Sequence, residues 1–152
     1  MKNERKILVF GNPLIKKDEI SLKLIRKLRE IFPKIEFIEM DPTEEIQKYG
    51  REIIIIDAVE NVRKVTLIDF FSSEDFEKIK LNNNYSLHDF DLGYNLRLLK
   101  KMKLIDRVKI IGIPIKNKEN FSELIKETAY LIKKILKFDK SNPIDFKEMC
   151  CT

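Results

Sequence analysis

The stretch that decides the fold is Glu52-Ile53-Ile54-Ile55-Ile56-Asp57. Its four consecutive isoleucines predict a β-strand, because β-branched side chains favour an extended backbone. The run has no alternating polar positions, which indicates a central strand buried on both faces, as in parallel sheets that are covered by helices. Asp57 follows the run directly, so the sequence predicts an acidic side chain at the carboxyl end of that strand.

Outward from this strand, the spacing of apolar residues predicts an alternation of strands and helices. Strands are predicted over residues 6–10, 35–40, 52–57, 64–70 and 108–113. Helices are predicted over 18–32, 43–49, 89–102 and 121–138, with a further short helix near 73–79 in an otherwise polar stretch. The turn before the fourth strand is too short for a helical crossover, so that strand should pair antiparallel or run along the sheet edge.

This alternation predicts an α/β fold. We expect a three-layer α/β/α arrangement, with a mostly parallel, about five-stranded twisted sheet and helices on both of its faces. The length of 152 residues fits a single domain. We place that domain at residues 1–140 and a C-terminal tail at 141–152.

Charge and composition exclude several classes of function. The chain has 30 basic and 25 acidic residues, which gives a net charge of +5 on a mixed surface and no clustered basic patch for nucleic acid. No segment approaches the ~18 consecutive apolar residues of a membrane span. The apolar run near the amino terminus is too short for a signal peptide. Adjacent Cys150 and Cys151 fit a reducing compartment, so we expect a cytoplasmic protein. From the charge pattern and the apolar runs we expect no nucleic-acid partner and no insertion into a membrane.

Three residues are candidates for a common site: Asp18, Asp57 and His88. Ligands of open α/β sheets bind beyond the carboxyl ends of the strands, where the strand order reverses. Asp18 and Asp57 follow the first and third predicted strands. His88 is the single histidine and precedes a predicted helix, whose positive end favours a neutral imidazole. Two carboxylates and one imidazole form an incomplete shell for a borderline metal ion.

Each of these residues also has an ordinary structural explanation. Asp18 can be a helix N-cap, Asp57 can simply end a strand, and His88 can be a surface or capping residue. A plain α/β domain with a structural role therefore stays open. A phosphate-binding loop is not indicated, because the turn Gly11-Asn12-Pro13-Leu14 lacks the G-x-G-x-x-G pattern and its proline has no N–H to donate.

The same segments resemble a known family, the [NiFe]-hydrogenase maturation endopeptidases. The resemblance lies in the stretch from Ile7 to Leu14 with Asp18 after it, in Ile55-Ile56-Asp57-Ala58-Val59, and in Ser86-Leu87-His88-Asp89. It implies an aspartyl-type endopeptidase that removes the C-terminal extension of the hydrogenase large subunit once nickel has been inserted. It also implies that Asp18, Asp57 and His88 contact the metal and are the catalytic residues.

The resemblance further implies the cofactor and the partner. Nickel would be presented by the large-subunit precursor, and zinc or cadmium could replace it in the free protein, which we expect to be a monomer. The metal could polarise the scissile carbonyl or activate a water. Alternatively it could be a checkpoint, with one of the carboxylates as general base; both possibilities stay open.

Two segments depart from the family pattern. After Asp57-Ala58, the segment Glu60-Asn61-Val62-Arg63 is shorter than the Gly-rich segment that is usual in the family. The chain reads Lys17-Asp18-Glu19-Ile20-Ser21 where the family commonly has Asp-Asp-Gly-x-Gly. This departure motivates an alternative hypothesis, in which the chain is a catalytically inactive module that binds the nickel-loaded subunit without cutting it.

Overall fold

The computed structural model describes residues 5–10, 19–40, 44–60, 62–81, 86–87, 90–114 and 120–137. Its strands are β1 (Arg5–Val9), β2 (Ile35–Glu39), β3 (Glu52–Glu60), β4 (Thr66–Phe70), β5 (Ser86–Leu87) and β6 (Arg107–Pro114). Its helices are α1 (Glu19–Ile31), α2 (Ser73–Leu81), α3 (Phe90–Lys101) and α4 (Phe121–Lys137), with a short 3-10 helix at Ile46–Tyr49. The predicted domain boundary at 140, the tail and its two cysteines lie outside the described residues.

The strands form one sheet with β3 near its centre. The order is β2-β1-β3-β6-β4, and β5 pairs with β3 off this path. β1, β2, β3 and β6 run parallel, whereas β4 lies antiparallel to β6 at the edge of the sheet. The predicted α/β fold with a mostly parallel sheet is confirmed, and β5 adds a short sixth strand to the five of the main path.

Both faces of β3 are covered, as its run of isoleucines predicts. Ile54 and Ile56 pack in the core cluster formed with α1 and α4. Ile53 and Ile55 pack in the opposite cluster, formed with α2 and α3. Because side chains alternate along a strand, Asp57 points to the same side as Ile55, toward α2 and α3. No described helix is long and apolar enough to cross a membrane.

At the amino edge of the sheet, a network of polar contacts holds β3 and β6 in register. The Arg51 guanidinium donates two hydrogen bonds to the Asp106 carboxylate, at 2.8 and 3.0 Å, and one to the carbonyl of Lys103 at 2.8 Å. The backbone N–H groups of Asp106 and Arg107 both donate to the carbonyl of Arg51. The Arg51 hydrogen bond holds the pKa of Asp106 below its usual value.

Helix α2 begins with a capping box that the sequence contains as Ser72-x-x-Asp75. The Asp75 carboxylate accepts hydrogen bonds from the backbone N–H groups of Phe71 and Ser72, both at 3.0 Å. In return the Asp75 N–H donates to the Ser72 hydroxyl at 3.2 Å. The N–H groups of Phe71 and Ser72 lower the pKa of Asp75. The helix then pairs with α3 through Glu77 and Arg97, 3.2 Å apart.

The structure differs from the sequence predictions in two places near the centre of the sheet. β3 continues past Asp57 to Glu60, because β6 goes on pairing with it as far as Pro114. Ser86 lies in β5 and pairs with Glu60, and the helix predicted over residues 89–102 begins at Phe90.

We expect the Asp75→Ala variant to unfold at a lower temperature than the wild type at neutral pH, because two backbone N–H groups lose their acceptor. The folded-state pKa of Asp75 is lowered, so its contribution is fully present above the unfolded-state pKa of about 4 and is lost as the pH falls through the folded-state value. Thermal melts from neutral to strongly acidic pH should show the difference shrinking. The exposed neighbour Glu74, changed to alanine, is the control.

A second prediction concerns Thr128, which is fully buried on α4 and whose hydroxyl has no hydrogen-bond partner among the described residues. Valine has the same shape without the hydroxyl, so Thr128→Val should raise the free energy of unfolding by about 1 kcal/mol. Thr128→Ser keeps the hydroxyl, loses a methyl group and should lower it. Denaturant titration measures both variants, and a less stable Thr128→Val would contradict this reading of the hydroxyl.

Candidate active site at the carboxyl edge of the sheet

Asp57 occupies the position where β1 leaves β3. The last paired residues are Val9 and Ile56, and the N–H of Phe10 donates to the carbonyl of Ile56 at 2.8 Å. Asp57 is the next residue of β3, and on its other side it pairs with Gly112 of β6. Its side chain is 0% exposed. A carboxylate is seldom fully buried in a folded protein unless it has partners, so Asp57 is a candidate residue of a functional site.

The strand order reverses at this place. From β1 the chain passes through α1 to β2 on one side, whereas the next parallel neighbour of β3 is β6 on the other side. The gap between the carboxyl ends of β1 and β3 is therefore the topological switch point, where open α/β sheets bind their ligands. Asp57 lies at this gap, as expected for a residue of the binding site.

The short strand β5 brings the chain back to the same edge. Leu87 pairs antiparallel with Val59, and Ser86 pairs with Glu60. On this side β3 thus pairs with β1 as far as Ile56 and with β5 from Val59 onward. Asp57 lies between the two partners.

Asp18 and His88 lie outside the residues that the structure describes. Their nearest described neighbours along the chain are Glu19, which begins α1, and Leu87, which ends β5. Of the three residues predicted to form the site, the structure thus places Asp57, and the three-residue cluster stays a prediction. Within the described ranges, no three His, Cys, Asp or Glu residues are grouped so that they could hold a metal ion.

Gly112 is a neighbour of Asp57 that the sequence analysis did not single out. It lies beside Asp57 in register, on the same face of the sheet, and a side chain there would collide with Val59. The signal was present, since a glycine inside the apolar run Ile110-Ile111-Gly112-Ile113 commonly marks a close approach in a strand.

Comparison with known proteins identifies the family. The model of the HycI family, described as hydrogenase maturation protease, matches residues 40–138. This match spans more than half of the chain, and the chain therefore belongs to the hydrogenase maturation protease family. Membership makes it a maturation protease, a hydrolase of peptide bonds, and it confirms the resemblance seen in the sequence. Asp57 and His88 lie inside the matched range, and Asp18 precedes it.

Two solved structures share the fold. The [NiFe] hydrogenase maturation protease HybD from Thermococcus kodakarensis is similar with a TM-score of 0.54 and 22% identity, over 86% of this chain and 98% of that chain. An endopeptidase from Escherichia coli, solved in solution, has a TM-score of 0.50 and 13% identity, over 86% of this chain and 93% of that chain. No curated protein matches the sequence significantly.

Proposed function

We propose that this maturation protease removes the C-terminal extension from the precursor of a [NiFe]-hydrogenase large subunit after nickel has been inserted. In this proposal Asp18, Asp57 and His88 contact the nickel that the substrate presents. The observation that carries the proposal is the fully buried carboxylate of Asp57 at the switch point of the sheet. Membership of the hydrogenase maturation protease family supports the reaction class.

The acid at position 57 supports a functional role. Burying a carboxylate has a desolvation cost that its partners must offset, and an apolar side chain at the same position would avoid that cost. The residues before it on β3, from Ile53 to Ile56, are all apolar and fill both core clusters. A function that needs a negative charge at the sheet edge accounts for the acid at this position.

The three proposed contacts form a donor set that suits nickel. Imidazole and carboxylate ligands bind nickel, zinc and related ions, and three protein ligands leave coordination positions open. In the precursor, the assembled metal centre would fill those positions. Holding the nickel would place the scissile peptide bond at the carboxyl edge of the sheet, and such positioning is a major part of catalysis. A carboxylate at this edge is also suited to take a proton from the attacking water.

Several finer points belong to the same proposal. The partner is the large-subunit precursor, and the enzyme acts on it as a monomer in the cytoplasm, without nucleic acid. The free protein takes up nickel, zinc or cadmium at the same three residues, with lower affinity than when the substrate completes the site.

A second candidate function is binding of the nickel-loaded subunit without cleavage. The segment Lys17-Asp18-Glu19-Ile20-Ser21 favours it, because a lysine replaces the first acid of the pattern that is common in the family. The two functions differ in one observable, the appearance of a shortened large subunit, so a cleavage assay separates them.

We expect Asp57→Asn and His88→Ala each to slow cleavage of the nickel-loaded precursor by at least about 100-fold, because the scissile bond is no longer positioned through the metal. Mass spectrometry of the large subunit over time measures the rate. Glu52→Gln removes an exposed acid at the other end of the same strand and should cleave like the wild type. A normal rate in Asp57→Asn, with an unchanged melting temperature, would remove that residue from the site.

Nickel dependence gives a separate prediction. The precursor without nickel should stay uncut by the wild-type enzyme, because the three residues then have no metal to contact. Calorimetry should show weak binding of cadmium to the free protein, lost in His88→Ala, since an incomplete shell binds metal less tightly than a closed one. Equal cutting of nickel-loaded and nickel-free precursor would show that these residues do not recognise the metal.

A further inference from the structure

Gly112 lies beside Asp57 in the sheet, and the space next to it is occupied by Val59. This glycine is buried and pairs with Asp57 on one side and with Thr66 of β4 on the other. A Cβ added to it would lie 2.8 Å from Cγ2 of Val59 and 3.2 Å from Cβ of Val59. Carbon atoms in favourable contact are about 3.5–4.0 Å apart, so any side chain at position 112 would displace Val59. Val59 can occupy this position because Gly112 has no side chain.

Gly112 lies next to the buried carboxylate of Asp57 on the face of the sheet that packs against α2 and α3. The preceding pair of residues on the same face, Ile55 and Ile110, is fully buried and belongs to the core cluster with α2 and α3. One step further toward the carboxyl edge, the pair becomes Asp57 and Gly112. Apolar packing on this face continues beyond this pair, because Val59 belongs to the same core cluster. Gly112 therefore lies beside the candidate acid within that packing.

Val59 links Gly112 to Asp57 and to the strand that precedes His88 in the chain. It is fully buried and follows Asp57 by two residues, so both side chains lie on the same face of β3. It also pairs with Leu87, which immediately precedes His88 in the chain. A displacement of Val59 would be transmitted to Asp57 along β3 and to the end of β5 across the strand pair.

We propose that Gly112 is a positioning residue for the metal-contacting groups. It seats Val59, and the seated Val59 fixes both the side chain of Asp57 and the β5 segment that leads to His88. This inference rests on the proposed function, since it takes Asp57 and His88 as metal contacts. Groups that orient metal ligands without touching the metal typically change the affinity about 10- to 100-fold when they are altered.

The test uses the fact that His88 is the single histidine, so that one imidazole gives one set of proton signals in NMR spectra. Three properties of the purified full chain are measured: the imidazole signal without metal, the hydrogen exchange of the Leu87 amide, and the affinity for cadmium by calorimetry. The variants are Gly112→Ala, Val59→Ala and the double variant. Val108→Ala is the control, because it opens a buried position of the same strand near the amino edge.

Gly112→Ala should weaken cadmium binding about 10- to 100-fold, shift the imidazole signal and speed exchange at Leu87. Val108→Ala should lower the melting temperature but leave all three properties at their wild-type values. Removing the methyl groups of Val59 makes room for a methyl group at 112, so Gly112→Ala should have a smaller effect in the Val59→Ala background than in the wild type.

A lower melting temperature for Gly112→Ala with unchanged cadmium affinity and imidazole signal would reduce the glycine to a packing role and overturn the inference. If Gly112→Ala fails to fold, Val59→Ala still tests the positioning role. It creates no clash, and it should change the imidazole signal and the Leu87 exchange in the same way. Failure of the proposed function gives a different result: the wild-type imidazole signal would not respond to cadmium. The metal-free signal and the Leu87 exchange would then decide the positioning role.

Discussion

The parallel pairing of β3 with β6 is the constraint on which the rest of the structure depends. It runs without interruption from Glu52 and Arg107 at the amino edge to Val59 and Pro114 at the carboxyl edge. Arg51 and Asp106 are hydrogen-bonded at one end of it, and Val59 lies close to Gly112 near the other. A slip by one residue would turn every side chain of β3 to the opposite face and place Asp57 among α1 and α4.

On its other side, β3 changes its partner strand along its length. β1 accompanies it as far as Ile56, and β5 takes over from Val59. Asp57 lies between the two partners, and its side chain is buried. The change of partner thus coincides with the carboxylate of the candidate site.

The sequence predicted much of the fold because the strongest patterns are also the ones that tertiary packing reinforces. The run Ile53–Ile56 predicted a central strand, the amphipathic spacing predicted α1 and α4, and the structure confirms all three. The resemblance to the hydrogenase maturation proteases is confirmed by the family model. Asp57 lies at the expected edge, although inside a longer strand.

What the sequence did not predict depends on contacts between distant segments. β5 has two residues, too few for any periodicity, and it exists through its pairing with Val59 and Glu60. A polar residue after four isoleucines suggests the end of a strand, yet pairing with β6 carries β3 past it. Gly112 is required where Val59 comes close to it, and Val59 lies on another strand. Asp18 and His88 lie outside the described residues, so the three-residue cluster stays a prediction.

The position of Asp57 also has a consequence for the chain before it folds. Four adjacent isoleucines form the kind of segment that assembles into intermolecular β-structure when it is exposed, as it is in a newly made chain. Charged residues that flank such a segment oppose this aggregation. Arg51 and Glu52 flank the run on one side and Asp57 on the other. The carboxylate at the edge of the sheet thus also opposes aggregation of the chain before it folds.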